Sequence, residues 1–290
     1  MNNIEKNIAN WNQLTEEQKQ KAKTLVDGQG GLNPVVVHPA AKHFEEKKWV
    51  KIDNFIDISM ANLLYHHVIL EVKRLQYLEN LGTPYNKEIW GSFKDEQCPG
   101  DFSKYGDPVF DAFMSLAKEK MEELTGKELL STYTYHRLYT SGTELKRHKD
   151  RPSCEISATL CLGYDISNVD TKIYPDWNWN LWVKEKDNKE IPVDMKPGDM
   201  IIYRGCEVEH WREPFIGLNH AQVFIHYNEK KGEYNIEYDG RPELGLPGSF
   251  RTNEGVETIN RAVKKLDSKD EVTKKVRKSP REYKADKTIY

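Results

Sequence analysis

The sequence predicts an α+β protein with a mainly β core, folded as a sandwich or jelly roll with helices packed on one face. Apolar residues recur at helical spacing only before Gly126. After Gly126, short runs of β-favouring residues follow one another between turn signals, with no helical pattern among them. Strands without intervening helices are typical of antiparallel sandwiches and rolls, so the earlier helices are left to pack on the major sheet.

Two long helices are predicted before residue 126. Thr15 opens a short polar helix to about residue 26 through a capping box, and residues 49–52 form a short strand. The first long helix carries apolar residues at helical spacing: Met60, Leu64, Val68, Val72 and Leu75. The second begins at Asp107-Pro108, because proline suits the first helical position, and ends at Gly126. Its apolar face is Val109, Phe110, Phe113, Leu116, Ala117 and Leu124.

Eight short runs after residue 126 read as strands. They cover residues 129–139, 144–148, 154–162, 177–184, 190–194, 200–203, 207–212 and 221–227. Pro197-Gly198 predicts a type II turn that leads into the run at 200–203. The pattern divides the chain into an N-terminal helical support region (1–127), a β core (128–228) and a basic, partly disordered C-terminal extension (229–290).

Composition narrows the functional classes. The formal net charge is −3 and the isoelectric point is near 6.3, which argues against a nucleic-acid partner or an anionic membrane. The start of the chain has no apolar segment typical of a secretory signal, and no run approaches a membrane span in length. The four cysteines show no C-x-x-C pairing and read as reduced thiols of a cytoplasmic protein. The oligomeric state stays open.

His148-Lys149-Asp150 at a strand end is the strongest chemical signal. Residues two apart on a strand point to one side, so His148 and Asp150 can converge on one point. His210, on a later strand, would complete two histidines and one carboxylate, the facial triad of iron(II) oxygenases. Taken alone, the H-x-D motif could instead form a surface ion pair or cap the end of a strand. A cupin-type site is disfavoured because Asp150 stands where cupins carry a second histidine.

Four stretches of the core occur in a familiar order: Tyr-Thr-Ser-Gly at 139–142, His-Lys-Asp at 148–150, Lys-Pro-Gly-Asp-Met-Ile-Ile-Tyr at 196–203 and His-Trp-Arg at 210–212. They resemble the prolyl 4-hydroxylase-type 2-oxoglutarate/iron(II) dioxygenases over about residues 129–228. The resemblance implies a double-stranded β-helix with N-terminal helices on its major sheet. It also implies that His148, Asp150 and His210 bind iron(II).

The co-substrate site departs from the family pattern. The resemblance implies that Tyr139 contacts 2-oxoglutarate. Relatives carry Arg or Lys on the last strand to pair with the distal carboxylate, and here that position falls on His220. His220 is therefore the expected anchor, either as a neutral donor or as a cation. Arg212, on the face of His210, is the rival anchor, and Arg137 is a third candidate.

The expected activity is that of a 2-oxoglutarate- and iron(II)-dependent dioxygenase. It would use dioxygen to hydroxylate an unactivated C–H bond and would release succinate and carbon dioxide. Resemblance suggests a prolyl or other amino-acid residue as substrate, so a peptide, a protein or an amino acid is the expected partner besides the small co-substrate. Two alternatives stay open: a nucleic-acid dealkylase on the same fold, and a catalytically idle β-roll that binds a ligand or protein.

Overall fold

The computed structural model describes residues 14–19, 38–170, 172 and 178–269. Five helices of this part are α1 (Pro39–Lys47), α2 (Ile58–Asn80), α3 (Lys87–Trp90), α4 (Pro108–Thr125) and α5 (Asn253–Lys269). The helix ends follow local chemistry. The Asp107 side chain accepts a hydrogen bond from the backbone N–H of Val109 and so caps α4. Gly126, with φ of 68°, ends the same helix in the left-handed conformation.

Within the described residues, ten strands form two antiparallel sheets. The strands are β1 (Trp49–Ile52), β2 (Phe102–Tyr105), β3 (Leu129–Thr140), β4 (Leu145–His148), β5 (Ile156–Asp165), β6 (Leu181–Lys184), β7 (Glu190–Val193), β8 (Met200–Arg204), β9 (His210–Arg212) and β10 (Asn219–Glu229). The larger sheet has the order β1-β8-β5-β10-β3-β2, and the smaller sheet has the order β4-β9-β6-β7. The α+β class with a mainly β core is thus confirmed.

Alternate residues of the larger sheet face two different clusters. Side chains of α1, α2 and α4 share one cluster with residues of β5, β8 and β10, among them Leu160, Ile202 and Val223. The opposite face of β5 and β8 contributes Cys161 and Tyr203 to a second cluster, which includes residues of β6 and β7. The molecule is therefore layered, with helices on one face of the larger sheet and the smaller sheet on the other.

Most predicted elements exist, with shifted bounds. The Pro197-Gly198 turn is confirmed, because Gly198 has φ of 95° and the Asp199 N–H bonds the Lys196 carbonyl at 2.9 Å. The core assignment is wrong for Met60, Val109 and Leu116, which are exposed. Sequence reasoning missed α1, β2, α3 and α5. The start of the run at 177–184, most of the predicted first helix and residues 270–290 lie outside the described ranges.

The C-terminal extension adds a cluster of its own. Ile259, Ala262 and Leu266 of α5 pack with Cys206 and Tyr234. Part of the basic extension predicted at 229–290 is therefore ordered and packed, including Leu266. This cluster joins the extension to the β core, and the cluster around α1, α2 and α4 joins the N-terminal region to the same core. The three-part division of the chain at residues 127 and 228 therefore stays a prediction. None of the described helices is long and apolar enough to cross a membrane.

Candidate metal centre

Two neighbouring strands bring the H-x-D motif beside His210. His148 ends β4, His210 begins β9, and the two residues are directly paired across the smaller sheet. Asp150 follows β4, and its backbone N–H donates to the Gly205 carbonyl at 2.8 Å. This bond fixes the chain after the strand, so the carboxylate points back toward both imidazoles. The H-x-D pair and His210, which is distant from it in sequence, thereby converge.

The donor atoms of these residues meet at one point. Asp150 Oδ1 lies 3.7 Å from His148 Nε2 and 3.7 Å from His210 Nε2. One ligand atom from each residue falls within a span of 4.8 Å. The His210 side chain is nearly buried, whereas His148 keeps a quarter of its side chain exposed. The donor set and spacing suit a divalent transition metal that keeps positions open for other ligands.

Backbone carbonyls set the orientation of both rings. His148 Nδ1 lies 2.7 Å from the Lys146 carbonyl, and His210 Nδ1 lies 3.0 Å from the Val208 carbonyl. A carbonyl accepts only, so each Nδ1 must carry the hydrogen and donate it. Each Nε2 then presents a lone pair toward Asp150. Metal-ligating histidines are held in this way by a hydrogen bond from the second ring nitrogen.

His148 and Asp150 have the protonation states that metal binding requires. Burial, followed by the charge of His210, lowers the pKa of His148 to about 4. Burial alone would raise the pKa of Asp150, but His210 and His148 hold it below its ordinary value. His148 is thus neutral and Asp150 ionised near pH 7, so neither has to lose a proton before binding a metal.

The loop before β2 that carries Asp95 and Gln97 contacts the triad. The Gln97 carboxamide lies with Nε2 3.1 Å from His148 Nε2, while its Oε1 accepts from both terminal nitrogens of Arg137 at 3.2 Å. Arg137 also pairs with Asp95 of the same loop at 2.9 Å. A metal on His148 Nε2 and the Gln97 amide would compete for the same space. Arg137 already has a carboxylate partner, which weakens its case as the co-substrate anchor.

Arg212 lies deeper, on the same face of β9 as His210. Its side chain is fully buried; Nη1 donates to the Trp179 carbonyl at 2.6 Å, and Nη2 contacts Met195 Sδ. Its Nε is buried without a hydrogen-bond partner. Burial lowers the pKa of Arg212, and no carboxylate of the described residues forms an ion pair with it. A buried cation without an anion is costly, so this position favours an anionic ligand.

His220 faces the same interior from β10. Its ring stacks on Tyr164, and its edge contacts are with Trp179 and Phe215. Burial, followed by the charge of Arg212, holds the pKa of His220 well below its ordinary value. His220 is therefore neutral, and the option that it serves as the cation is not supported. His220, Gln222 and His226 of β10 contact alternate residues of β5, namely Cys161, Thr159 and Ser157.

Tyr139 completes the inner wall. Its ring is fully buried and meets Trp179 edge-on at 4.8 Å, while Arg212 lies over the same Trp179 ring. The structure thus gathers Tyr139, Arg212 and His220 around Trp179, away from the solvent side of the triad. Sequence reasoning missed Gln97, because this residue reaches the site through contacts with residues distant along the chain.

A second group of histidines and carboxylates lies between α2, β2 and α4. Lys104 Nζ donates to Glu71 at 2.6 Å and to Asp107 at 2.7 Å. His136 bonds Glu71 at 2.8 Å, and His67 bonds Asp107 at 3.3 Å. We call these five residues the lysine-centred cluster. His67, Glu71 and Asp107 also bring ligand atoms within 4.8 Å of one another, as the triad does.

No protein-family model and no curated protein sequence matches this chain. Solved structures that resemble it include a prolyl 4-hydroxylase of Pseudomonas putida, at 15% identity and a TM-score of 0.47 over 66% of this chain and 97% of that chain. Another is a prolyl hydroxylase of Trichoplax adhaerens in complex with a hypoxia-inducible-factor degradation-domain peptide. This second structure is 16% identical to the chain, with a TM-score of 0.46 over 76% of this chain and 96% of that chain.

A third similar structure is HygX of Streptomyces hygroscopicus with nickel and 2-oxoglutarate bound, at 10% identity and a TM-score of 0.48 over 75% of this chain and 95% of that chain. The identity and the TM-score are low for each of these three structures. The functional proposal therefore rests on the side chains of the site. The solved structures that this chain resembles include prolyl hydroxylases and other 2-oxoglutarate/iron(II) oxygenases, the family that the motifs of its sequence resemble.

Proposed function

We propose that this protein is a 2-oxoglutarate- and iron(II)-dependent dioxygenase, with its two facing sheets forming a double-stranded β-helix. One observation carries the proposal: His148, Asp150 and His210 direct two imidazole Nε2 atoms and one carboxylate oxygen at a common point. Two histidines and a carboxylate with open positions are typical of non-haem iron(II) oxygenases. His148, Asp150 and His210 would hold the iron.

Arg212 is the proposed anchor for the distal carboxylate of 2-oxoglutarate. It is fully buried, lacks a carboxylate partner among the described residues and shares the face of His210. The neutral ring of His220 lies in the same interior and supplies at most one hydrogen bond rather than a charge. Tyr139 and Trp179 would flank the co-substrate and exclude water. This assignment reverses the preference for His220 that the sequence alone suggested.

When bound, iron(II) would supply dioxygen activation coupled to decarboxylation of 2-oxoglutarate to succinate and carbon dioxide, with hydroxylation of an unactivated C–H bond. This chain's residues supply the geometry. The Lys146 and Val208 carbonyls hold the two rings, and Arg212 orients the co-substrate. A prolyl or other amino-acid residue is the proposed substrate, on the strength of the sequence motifs. Gln97 and Asp95 lie where that substrate would approach.

Anaerobic titration tests the proposal. Iron(II) followed by 2-oxoglutarate should give the visible charge-transfer absorption of a 2-oxo acid chelated to iron(II). Arg212→Ala should raise the Kd for 2-oxoglutarate at least about thirtyfold, because losing one partner of a buried charge pair costs about 2 kcal/mol or more. His220→Ala should change that Kd far less. If His220→Ala abolishes co-substrate binding and Arg212→Ala does not, the anchor is His220.

A further inference from the structure

Ser157 on β5 lies between the proposed metal ligand Asp150 and His226 on β10. Its Oγ is 2.8 Å from Asp150 Oδ2 and 3.0 Å from His226 Nδ1. Ser157 is fully buried and His226 nearly so. The same Oγ also lies 3.0 Å from the Cys154 carbonyl. Three polar atoms thus surround one hydroxyl that has a single hydrogen to donate.

Counting hydrogens assigns the direction of each bond. The Ser157 hydroxyl donates to Asp150 Oδ2 at 2.8 Å, because a carboxylate oxygen is a hydrogen-bond acceptor. A bond to a carboxylate is stronger than one to a neutral carbonyl, so the Ser157 hydrogen goes to Asp150 Oδ2 rather than to Cys154. His226 Nδ1 must then carry a hydrogen and donate it to Ser157 Oγ. The result is a chain of donors that runs from His226 through Ser157 to Asp150.

The chain of donors selects which carboxylate oxygen faces the histidines. Oδ2 of Asp150 is held by Ser157, whereas Oδ1 lies 3.7 Å from the Nε2 atoms of both His148 and His210. A carboxylate held in this way presents one oxygen to a metal rather than two. One-oxygen binding leaves more coordination positions for other ligands, which the proposed reaction requires.

Gly205 makes room for this arrangement. A Cβ at residue 205 would collide with the Cys154 carbonyl and Asp150 Oδ2, and it would lie 2.8 Å from Ser157 Oγ. The backbone carbonyl of the same glycine accepts from the Asp150 N–H at 2.8 Å. Gly205 therefore fixes the backbone of Asp150 while leaving its side chain free to reach Ser157. On the other side, the His226 ring packs against Tyr133 at 4.5 Å.

We propose that His226 and Ser157 are positioning residues that hold Asp150 for one-oxygen coordination of the metal. This inference rests on the proposed function, because it assumes that Asp150 is a ligand. Neither residue is one of the three proposed metal ligands. Their effect should appear in metal affinity and coordination geometry, because partners of metal ligands typically contribute about ten- to a hundredfold in affinity.

Metal titration of matched variants is the test. Ser157→Ala and His226→Leu should raise the Kd for iron(II), measured anaerobically, about ten- to a hundredfold. His226→Asn should recover most of the loss, because its amide nitrogen can donate from nearly the same position as Nδ1. Thr159→Val is the control: Thr159 is equally buried on the same face of β5 and bonds Gln222 instead. It should leave the Kd unchanged.

Cobalt(II) supplies the second readout. Its visible absorption reports coordination number, so Ser157→Ala should shift the spectrum of the cobalt protein if Asp150 begins to bind through both oxygens. Imidazole nitrogen NMR of the parent protein is a third readout, and it does not depend on the folding of a variant. It should find the His226 hydrogen on Nδ1. A hydrogen on Nε2 would overturn the inference.

The failure of this inference differs from that of the proposed function. If the parent protein binds no iron(II) through His148 and His210, the proposed function fails. If the parent binds iron(II) and Ser157→Ala binds it as tightly with an unchanged cobalt spectrum, only the positioning role fails. A loss of affinity in Thr159→Val equal to that of Ser157→Ala would also overturn the role, because any buried hydroxyl would then matter alike.

Discussion

The metal triad and the lysine-centred cluster contain the same kinds of residue and yet differ in what fills their centre. Each brings histidine and carboxylate atoms within 4.8 Å. In the lysine-centred cluster, Lys104 Nζ donates to both carboxylates and neutralises part of their charge. In the triad, one carboxylate oxygen of Asp150 instead lies 3.7 Å from the Nε2 atoms of both His148 and His210.

The difference shows what separates a ligand site from an internal ion network. Buried charges need partners, and Lys104 is the partner that Glu71 and Asp107 require. In the triad, the Gln97 amide lies beside His148 and the Ser157 hydroxyl donates to Asp150. Composition and clustering therefore do not identify a metal site. In the lysine-centred cluster an ammonium group binds the carboxylates, whereas in the triad two imidazole Nε2 atoms and one carboxylate oxygen are directed at a common point. We therefore expect separate effects on metal binding and on stability when the two clusters are altered.

Removal of one triad histidine should have the largest effect. His148→Ala or His210→Ala should abolish measurable iron(II) binding and succinate release, because two remaining donors do not hold the metal. Melting temperature should stay close to that of the parent. His67→Ala, in the lysine-centred cluster, is the matched control and should leave iron affinity unchanged. Iron binding by His148→Ala at parental affinity would remove the triad assignment.

Substitution of Lys104 should produce the reverse pattern. Lys104→Met leaves Glu71 and Asp107 buried without their cation, and breaking a buried ion pair on one side costs about 3–5 kcal/mol. Urea unfolding should detect this loss, while iron(II) affinity of the folded variant stays at the parental value. A stable Lys104→Met protein would show that this network contributes little, and altered iron affinity would mean that the two clusters are coupled.

Acid pH should lower the free energy of unfolding through the lysine-centred cluster. Burial alone would raise the pKa of Glu71 and of Asp107, but hydrogen bonds from His136 and His67 and the charge of Lys104 hold both below their ordinary values. Groups with lowered folded pKa stabilise the fold above their unfolded pKa of about 4 and lose that contribution as pH falls toward the folded value. The free energy of unfolding should therefore decline below about pH 5.

Other carboxylates contribute to acid sensitivity, so the informative quantity is the difference between parent and variant. Lys104→Met should show a shallower fall of unfolding free energy between neutral and acid pH, because its carboxyl pKa values are no longer held down by Lys104. Equal slopes in the two proteins would contradict the role given to this lysine.

The smallest expected effect concerns Gln97. Its amide lies 3.1 Å from His148 Nε2 and must move before a metal can bind there. Gln97→Ala should therefore lower the Kd for iron(II) by about two- to tenfold, the equivalent of one ordinary hydrogen bond. Glu96→Ala, on the same loop, is the control for loop disturbance. A weaker iron affinity in Gln97→Ala would instead indicate that this amide supports the metal.

The sequence predicted those parts of the site that follow local periodicity. The H-x-D spacing at 148–150 was readable because strand side chains alternate, and the type II turn at Gly198 was readable from Pro-Gly. Helix α5 was predictable in principle, since Ile259, Ala262 and Leu266 recur at helical spacing. The many lysines around them pointed to a solvated tail instead.

Other features depend on contacts that no local pattern encodes. The choice between Arg212 and His220 required knowing that no carboxylate of the described residues pairs with Arg212 and that burial keeps His220 neutral. The bond between Ser157 and His226 joins β5 to β10, and Lys104 reaches Glu71 from a different element. Each is a product of strand order and helix packing, so it becomes visible only in three dimensions.

The most direct test of the central claim is anomalous diffraction from a crystal grown anaerobically with iron(II) and 2-oxoglutarate. We expect one strong anomalous peak, from an iron ion bound by His148 Nε2, His210 Nε2 and one oxygen of Asp150, with 2-oxoglutarate extending from it toward Arg212. The lysine-centred cluster should show no peak. A peak among His67, Glu71 and Asp107, or a triad without metal at saturating iron, would contradict the account.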